Sequence, residues 1–216
     1  MRILFISAFY PPYVIGGWEQ LVQDINVRLQ DRGHDTLVLT SNYKVPTGSI
    51  HRQDVHRLLH LESDLVNYRP LAFFRSHPAQ LNHNLQVTRD TLAGFRPDVV
   101  FVHGMWNLSH GIPWQSEQQL PGKVIYCVAS DWPYAPSVHR QYWESEARRP
   151  LHRLLKRWLA PQALQRLAQE EQRFSLEFRR VLCVSQAVGA EMHRQAGVPV
   201  ENLRVVYNGV EVDRFV

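Results

Sequence analysis

The stretch that decides the fold is FISAFYPPYVIGGWEQLVQDINVRLQDRGHDTLVLTS, residues 5–41. It opens on the end of an apolar run, Arg2–Ser7, which reads as a buried strand. A Tyr10-Pro11-Pro12 break follows, then two adjacent glycines, Gly16 and Gly17. Residues 18–32 carry Leu21, Val22, Ile25 and Leu29 at helical spacing, and Gly33 is the stop signal. Asp35–Ser41 reads as a second strand. A strand–helix–strand unit this short requires a parallel pair with a right-handed crossover.

The same alternation continues. Residues 54–61 read as a weak strand and 78–94 as a helix ending at Gly94. Residues 98–103, DVVFVH, are a continuous apolar run suited to a central parallel strand. Residues 123–128, 180–185 and 203–207 read as further strands, with a helix over 187–196 stopped by Gly197. The predicted fold is α/β, a doubly wound, mainly parallel sheet flanked by helices. Loops around residues 44–49 and 132–137 are the expected mobile stretches.

Composition sets bounds on function. The chain has 216 residues, 44% of them apolar and 20% charged, enough for one large domain with a real core. A formal charge of +4 fits a phosphorylated ligand, nucleic acid or an anionic membrane surface without choosing among them. No recognised nucleic-acid module accompanies the charge. No apolar run reaches transmembrane length. The opening MRILFISAF is interrupted by Tyr10-Pro11-Pro12 and lacks a small-x-small cleavage site, so it reads as a strand and not a signal peptide. Cys127 and Cys183 each lie in an apolar run with no metal-ligand spacing, which predicts buried reduced thiols and a cytosolic setting.

In open α/β sheets, ligands bind beyond the carboxyl ends of the strands. The loop of residues 8–17 lies there. Glycine lets backbone approach a ligand and permits φ > 0. The helix that follows presents unpaired N–H groups and partial positive charge, which suits a phosphate. Glu19 favours the helix start, and can repel a phosphate or bond a ligand hydroxyl. The alternative is a plain tight turn. The pattern is neither G-x-G-x-x-G nor a phosphate-binding P-loop, which argues against a dinucleotide dehydrogenase.

YPPYVIGGWEQLVQDINVRLQDRGHDTLVLTS resembles the opening of the family 4 glycosyltransferases, which start with a strand, a glycine loop ending G-G-x-E, and a helix ending R-G-H-x-V. FRPDVVFVHG, residues 95–104, is similar to the family's P-D-[VI]-[VI]-x-x-H segment. RVLCVSQAVGAEMHRQAGVPVENLRVVYNGVEVDRF, residues 180–215, resembles the segment that precedes its interdomain linker. Residues 136–178 match poorly. The resemblance implies the GT-B architecture, two Rossmann-like domains across a cleft, with residues 1–207 as the amino-terminal acceptor-side domain. Residues 208–216 would begin the linker, and the carboxyl-terminal domain holding most of the nucleotide-sugar pocket would be absent. It implies a retaining transfer of a hexose from a nucleotide-diphosphate sugar to a sugar, lipid-linked or small-molecule hydroxyl, with no metal or other cofactor. A nucleotide-sugar epimerase half and a non-catalytic module for a phosphorylated ligand are the rivals.

Site expectations follow. Gly16 and Gly17 would contact the donor diphosphate. Glu19, Trp132, Asn208 and Gly209 would contact substrate. His103, at a strand end, can donate to a hydroxyl or phosphate or move a proton. In VIYCVASDWP, residues 124–133, the family's strand-end His-Asp is replaced by Ala129-Ser130. Asp131 is the candidate to take over the polar role, or else it caps the next turn. Trp132 and Tyr134 can stack on a sugar or pack in the loop. Ser185 is a helix cap, with no nucleophile elbow around it. His51, His56 and His60 have no ligand partners at metal spacing, so no metal site is expected. ARRPLHRLLKRWLAPQ, residues 147–162, places Leu151, Leu154, Leu155, Trp158 and Leu159 on one helical face flanked by Arg148, Arg149, Arg153, Lys156 and Arg157. Residues 148–159 therefore read as a peripheral contact with the inner membrane face, or as an amphipathic helix packed on the sheet.

Overall fold

The structure, a computed structural model, describes residues 1–44, 53–147 and 150–209, and the side chains of 150–152 and 155 fall outside it. Its centre is a sheet of β1 (Arg2–Ser7), β2 (Asp35–Ser41), β3 (Val55–Leu59), β4 (Val99–His103), β5 (Val124–Val128), β6 (Val181–Cys183) and β7 (Leu203–Val205). All seven strands are parallel, in the order β3-β2-β1-β4-β5-β6-β7. Strand order reverses between β1 and β4, so the loops after these two strands flank a crevice at the carboxyl edge.

Burial on both faces explains the unbroken apolar runs. Leu4, Phe5 and Ile6 are fully enclosed, each adding about 2 kcal/mol of hydrophobic stabilisation. Ile3, Phe5 and Val38 point to the face covered by α1 (Gly17–Asp31), where Val22, Ile25 and Leu29 meet them. Leu4, Ile6, Leu37 and Leu39 point the other way, into the larger core with Val100, Val102 and Tyr126. The alternation is the period-two geometry of a strand.

The helices after β3 are α2 (Pro70–Arg75), α3 (His77–Phe95), α4 (Gly111–Gln119), α5 (Val138–Glu144), α6 (Pro150–Arg173) and α7 (Gln186–Ala196). Sequence periodicity locates α1, α3 and α7 within a residue or two and reads part of α6, but misses α2, α4 and α5. In α4, GIPWQSEQQ, Pro113 stands in the first turn, where its missing N–H has no partner to lose. A proline that reads as a break is therefore harmless. Gly111 opens α4 because a Cβ would approach Leu85 Cδ2 at 3.1 Å and Phe174 Cζ at 3.2 Å. Strands β6 and β7 are shorter than their apolar runs suggest. Ser185 already serves as the α7 cap, accepting from the Val188 N–H at 3.2 Å, and among the described residues β7 pairs only with β6. Cys127 and Cys183 are free and buried, as expected.

Of the two stretches expected to be mobile, residues 45–49 lie outside the described residues. The 132–137 stretch begins with Trp132 packed into the core.

Candidate functional site

The crevice beside β1 is built first. Ala8 N–H donates to the Gly104 carbonyl at 2.9 Å, joining the β1 and β4 loops. Arg57 donates from Nη1 to the Tyr10 carbonyl at 3.1 Å and from Nη2 to the Pro11 carbonyl, pinning the loop from beneath. Gly104 has φ 65°, the left-handed region that favours glycine.

Gly16 and Gly17 are exposed at the end of this loop. Gly16 is the extended N-cap of α1, with φ −157°, and neither glycine is among those with positive φ. A Cβ at either would meet nothing within 4 Å. Neither backbone conformation nor packing within the described residues demands glycine here. The Gly16 amide is also engaged. It donates to Glu19 Oε2 at 3.0 Å, half of a capping box. Glu19 is itself buried. The N–H groups of Gly17 and Trp18 have no acceptor within the helix by position.

His103 ends β4 beside this loop and is 1% exposed. Trp18 covers it edge-on, with ring centroids 4.6 Å apart, and Phe101 stacks at 6.1 Å. Neither ring nitrogen has a hydrogen-bond partner among the described residues. Burial pushes its pKa down to about 4, so the imidazole is neutral near pH 7. Any ligand contact through this ring requires Trp18 to move.

A cavity of about 420 Å³ opens beyond β4 and β5. Its walls come from residues 105–110, 131–138, α5 and α6. Asp131 lies exposed on this wall, and its carbonyl accepts from the Tyr134 and Ala135 amides at 3.0 and 2.7 Å. Trp132 lines the cavity too, but its ring is buried against Tyr126 and Phe178. His110 Nε2 donates to the Trp132 carbonyl at 3.3 Å, tying the two loops together. Glu62, Ser109, Glu170 and Glu171 supply further polar atoms. Arg140 neutralises Glu171 through two hydrogen bonds, at 2.8 and 2.6 Å. Trp106, on the cavity wall, packs on Phe9 of the β1 loop at 6.3 Å, so the cavity and the crevice are neighbours.

The structure thus brings Asp131 and Trp132 together in the cavity, and Gly16, Gly17, Glu19 and His103 together at the crevice. Asn208 and Gly209 are exposed beyond β7. Four strand spacings, about 19 Å, separate β1 from β7, which sets them apart from the crevice, and neither is among the residues that line the cavity. The segment that matched no motif, 136–178, builds much of the cavity wall. His56 is exposed and His60 packs edge-on to His83 at 4.5 Å, while His51 lies outside the described residues.

The basic helix differs in part from its reading. Leu159 packs inward with Ala163 and Leu167 on Phe73 and Trp143. Leu154 and Trp158 are 56% and 73% exposed. Lys156, expected on a solvated edge, is instead buried and donates to the Tyr142 and Ser145 carbonyls. Arg148, Arg149 and the side chains of Leu151 and Leu155 lie outside the described residues. Among the described residues no helix is long and apolar enough to cross a membrane.

The fold is shared with larger enzymes. A glycosyltransferase from Rickettsia africae superposes with TM-score 0.54 at 14% identity, over 99% of this chain and 44% of that one. UDP-N-acetylglucosamine 2-epimerases from Rickettsia bellii and Methanocaldococcus jannaschii superpose with TM-scores 0.51 and 0.50, at 10% and 14% identity, over 95% of this chain. They are covered over 44% and 45% of their own length, so the chain spans just under half of each neighbour. No curated protein matches in sequence. Residues 15–214 match Glycosyltransferase Family 4, and with a Rossmann-like parallel sheet of the kind that forms one half of the GT-B architecture, the chain belongs to that family.

Proposed function

We propose that residues 1–207 are the acceptor-side domain of a retaining, nucleotide-sugar-dependent transferase that moves a hexose to a hydroxyl acceptor. Residues 208–216 would open the linker to a second domain that grips the donor. The observation that carries this reading is the pair Gly16–Gly17, which no contact or dihedral among the described residues requires. Space kept free of side chains at a helix N-terminus suits the leaving diphosphate, with the Gly17 amide and the positive end of α1 facing it. Glu19 holds the Gly16 amide, and its carboxylate could exchange that bond for a ligand hydroxyl.

Asp131 would orient the acceptor hydroxyl or take its proton, and Trp132 would form the cavity's apolar wall. His103, neutral, would reach the ligands once Trp18 swings aside. No cofactor enters this reading; the nucleotide sugar is a substrate. The test is transfer of label from nucleotide sugars, with this chain alone and joined to its second domain. Turnover is expected only in the joined protein, and turnover by the chain alone would overturn the division of labour.

Two epimerases among the structural neighbours favour a second reading, a nucleotide-sugar epimerase half. Product analysis separates the two, because an epimerised nucleotide sugar needs no acceptor.

For the partner surface, exposed Leu154 and Trp158 beside exposed Arg153 and Arg157 support a contact with an anionic, cytoplasmic membrane face. Each arginine would contribute about 1 kcal/mol. Co-sedimentation with anionic but not neutral vesicles, lost in a Leu154→Ala, Trp158→Ala variant, is the expected result; equal binding by wild type and variant would remove the proposal.

A further inference from the structure

Behind the cavity lies a knot of polar side chains that the transfer chemistry does not use. Glu62, His77 and Glu170 each bring a ligand-capable atom to within 4.8 Å of the others. Glu62 comes from the chain after β3, His77 from the first residue of α3, and Glu170 from the last turns of α6. His77 Nε2 and Glu170 Oε2 are 2.9 Å apart. Neighbouring ligands on one cation, each about 2.1 Å from it, are separated by roughly 3.0–3.4 Å in octahedral or tetrahedral geometry. The pair already has nearly that bite.

The bland account is a His–Glu hydrogen bond, and it leaves two things unexplained. Glu62 is brought up to a carboxylate it should avoid. Its carboxylate brings an oxygen to within 4.8 Å of the ligand atoms of both His77 and Glu170.

The second is His139, which is independent of the carboxylates. It is 2% exposed and lies edge-on to His77, centroids 4.6 Å apart. Its Nδ1 is held by the Tyr68 hydroxyl at 2.8 Å, while Nε2 has no side-chain or backbone partner within hydrogen-bond geometry among the described residues. An enclosed nitrogen without a partner is unfavourable unless something completes it. Outer contacts of the kind that orient ligands are present as well: Tyr68 on His139, and the Ser109 hydroxyl on Glu170 Oε1 at 3.3 Å. Glu62 and Glu170 both line the cavity beyond β4 and β5, which supplies an entry path.

We propose that Glu62, His77 and Glu170, with His139 beside them, form a binding site for one divalent transition-metal cation of the zinc class. Imidazole nitrogen with carboxylate oxygen suits such ions, whereas magnesium and calcium favour all-oxygen shells. The bound ion would clamp the chain after β3 to α3 and α6 at the back of the cavity. The site does not depend on the transferase reading and survives its failure.

The test uses the whole chain, stripped with chelator and titrated with Zn²⁺ by calorimetry, with stoichiometry from elemental analysis after desalting. One equivalent should bind and raise the melting temperature. His77→Ala and Glu62→Gln should each weaken binding at least about tenfold, and Glu62→Gln,Glu170→Gln should abolish it. His56→Ala, at an exposed histidine, should change nothing. Circular dichroism of each metal-free variant checks folding, and Glu62→Gln carries the test should His77→Ala unfold. No stoichiometric binding, or binding equally tight in Glu62→Gln and Glu62→Gln,Glu170→Gln, would overturn the site. So would weak binding that disappears with His56→Ala.

Discussion

Asp131 and His103 were both read as reacting residues, and their surroundings now separate them. Asp131 is exposed at a cavity wall, so Asp131→Asn should leave the melting temperature unchanged. In the joined enzyme it should lower kcat by about 10²-fold, the usual scale for a lost acid or base. An unaltered kcat would return Asp131 to a turn-forming role. His103 is enclosed under Trp18 and resists protonation down to about pH 4. The unfolded chain takes up that proton below about pH 6.5, while the folded chain does not. Stability from this group is therefore full above pH 6.5 and is lost as pH falls toward 4, by about 1.4 kcal/mol per pH unit. His139 acts in the same sense, with its folded pKa down to about 3. Glu62 acts oppositely, because its carboxyl is raised to about 7: its contribution is full below pH 4.5 and is lost as pH rises toward 7. Denaturant unfolding of His103→Leu between pH 4 and 7 should show a shallower acid loss than wild type, and identical slopes would mean the ring is not neutral in the folded chain. Position at a strand end made His103 legible in sequence. The indole that covers it was not, because Trp18 and His103 meet only after β1 and β4 pair.

At the scale of elements, Glu117 in α4 does work that no motif advertises. Its carboxylate accepts from the Glu177 amide at 3.0 Å, the Phe178 amide at 3.3 Å and the Tyr126 hydroxyl at 2.7 Å. It thereby joins α4, β5 and the chain that leads into β6. Glu117→Ala leaves those donors unpaired in a buried place and should cost about 3 kcal/mol, with Glu117→Gln costing less. Equal stability of Glu117→Ala and wild type in denaturant would show that water replaces the carboxylate. Ser185→Ala removes the α7 cap and should cost about 1 kcal/mol by the same measurement. Strands were legible because a sheet buried on both faces demands continuous apolar residues. Helix α4 was not, since its proline reads as a break, and α5 is too short to display a period. In α6 the apolar residues divide between an inward face on Phe73 and Trp143 and exposed Leu154 and Trp158. A helical pattern gives the face but not which part of it meets a partner.

For the molecule as a whole, one sheet edge carries two different environments. The crevice at the β1–β4 switch is lined by backbone and a helix start, and the neighbouring cavity by carboxylates and aromatic rings. In the proposed reading the first would take the diphosphate and the second the hydroxyl acceptor. The order of glycine loop, β4 histidine and β6–α7 segment let the fold and the crevice be read from sequence. The cavity was hidden, because its polar residues converge from distant positions: Glu170 meets Ser109 and His77 across 61 and 93 residues. The most direct measurement is kcat/KM for the nucleotide sugar in the joined enzyme carrying Gly17→Leu, read beside its melting temperature. Because a Cβ there meets nothing within 4 Å, the variant should fold as wild type does, and it should lose about 10²-fold or more in kcat/KM as the leucine fills the diphosphate's place. A folded Gly17→Leu enzyme with undiminished kcat/KM would contradict the account.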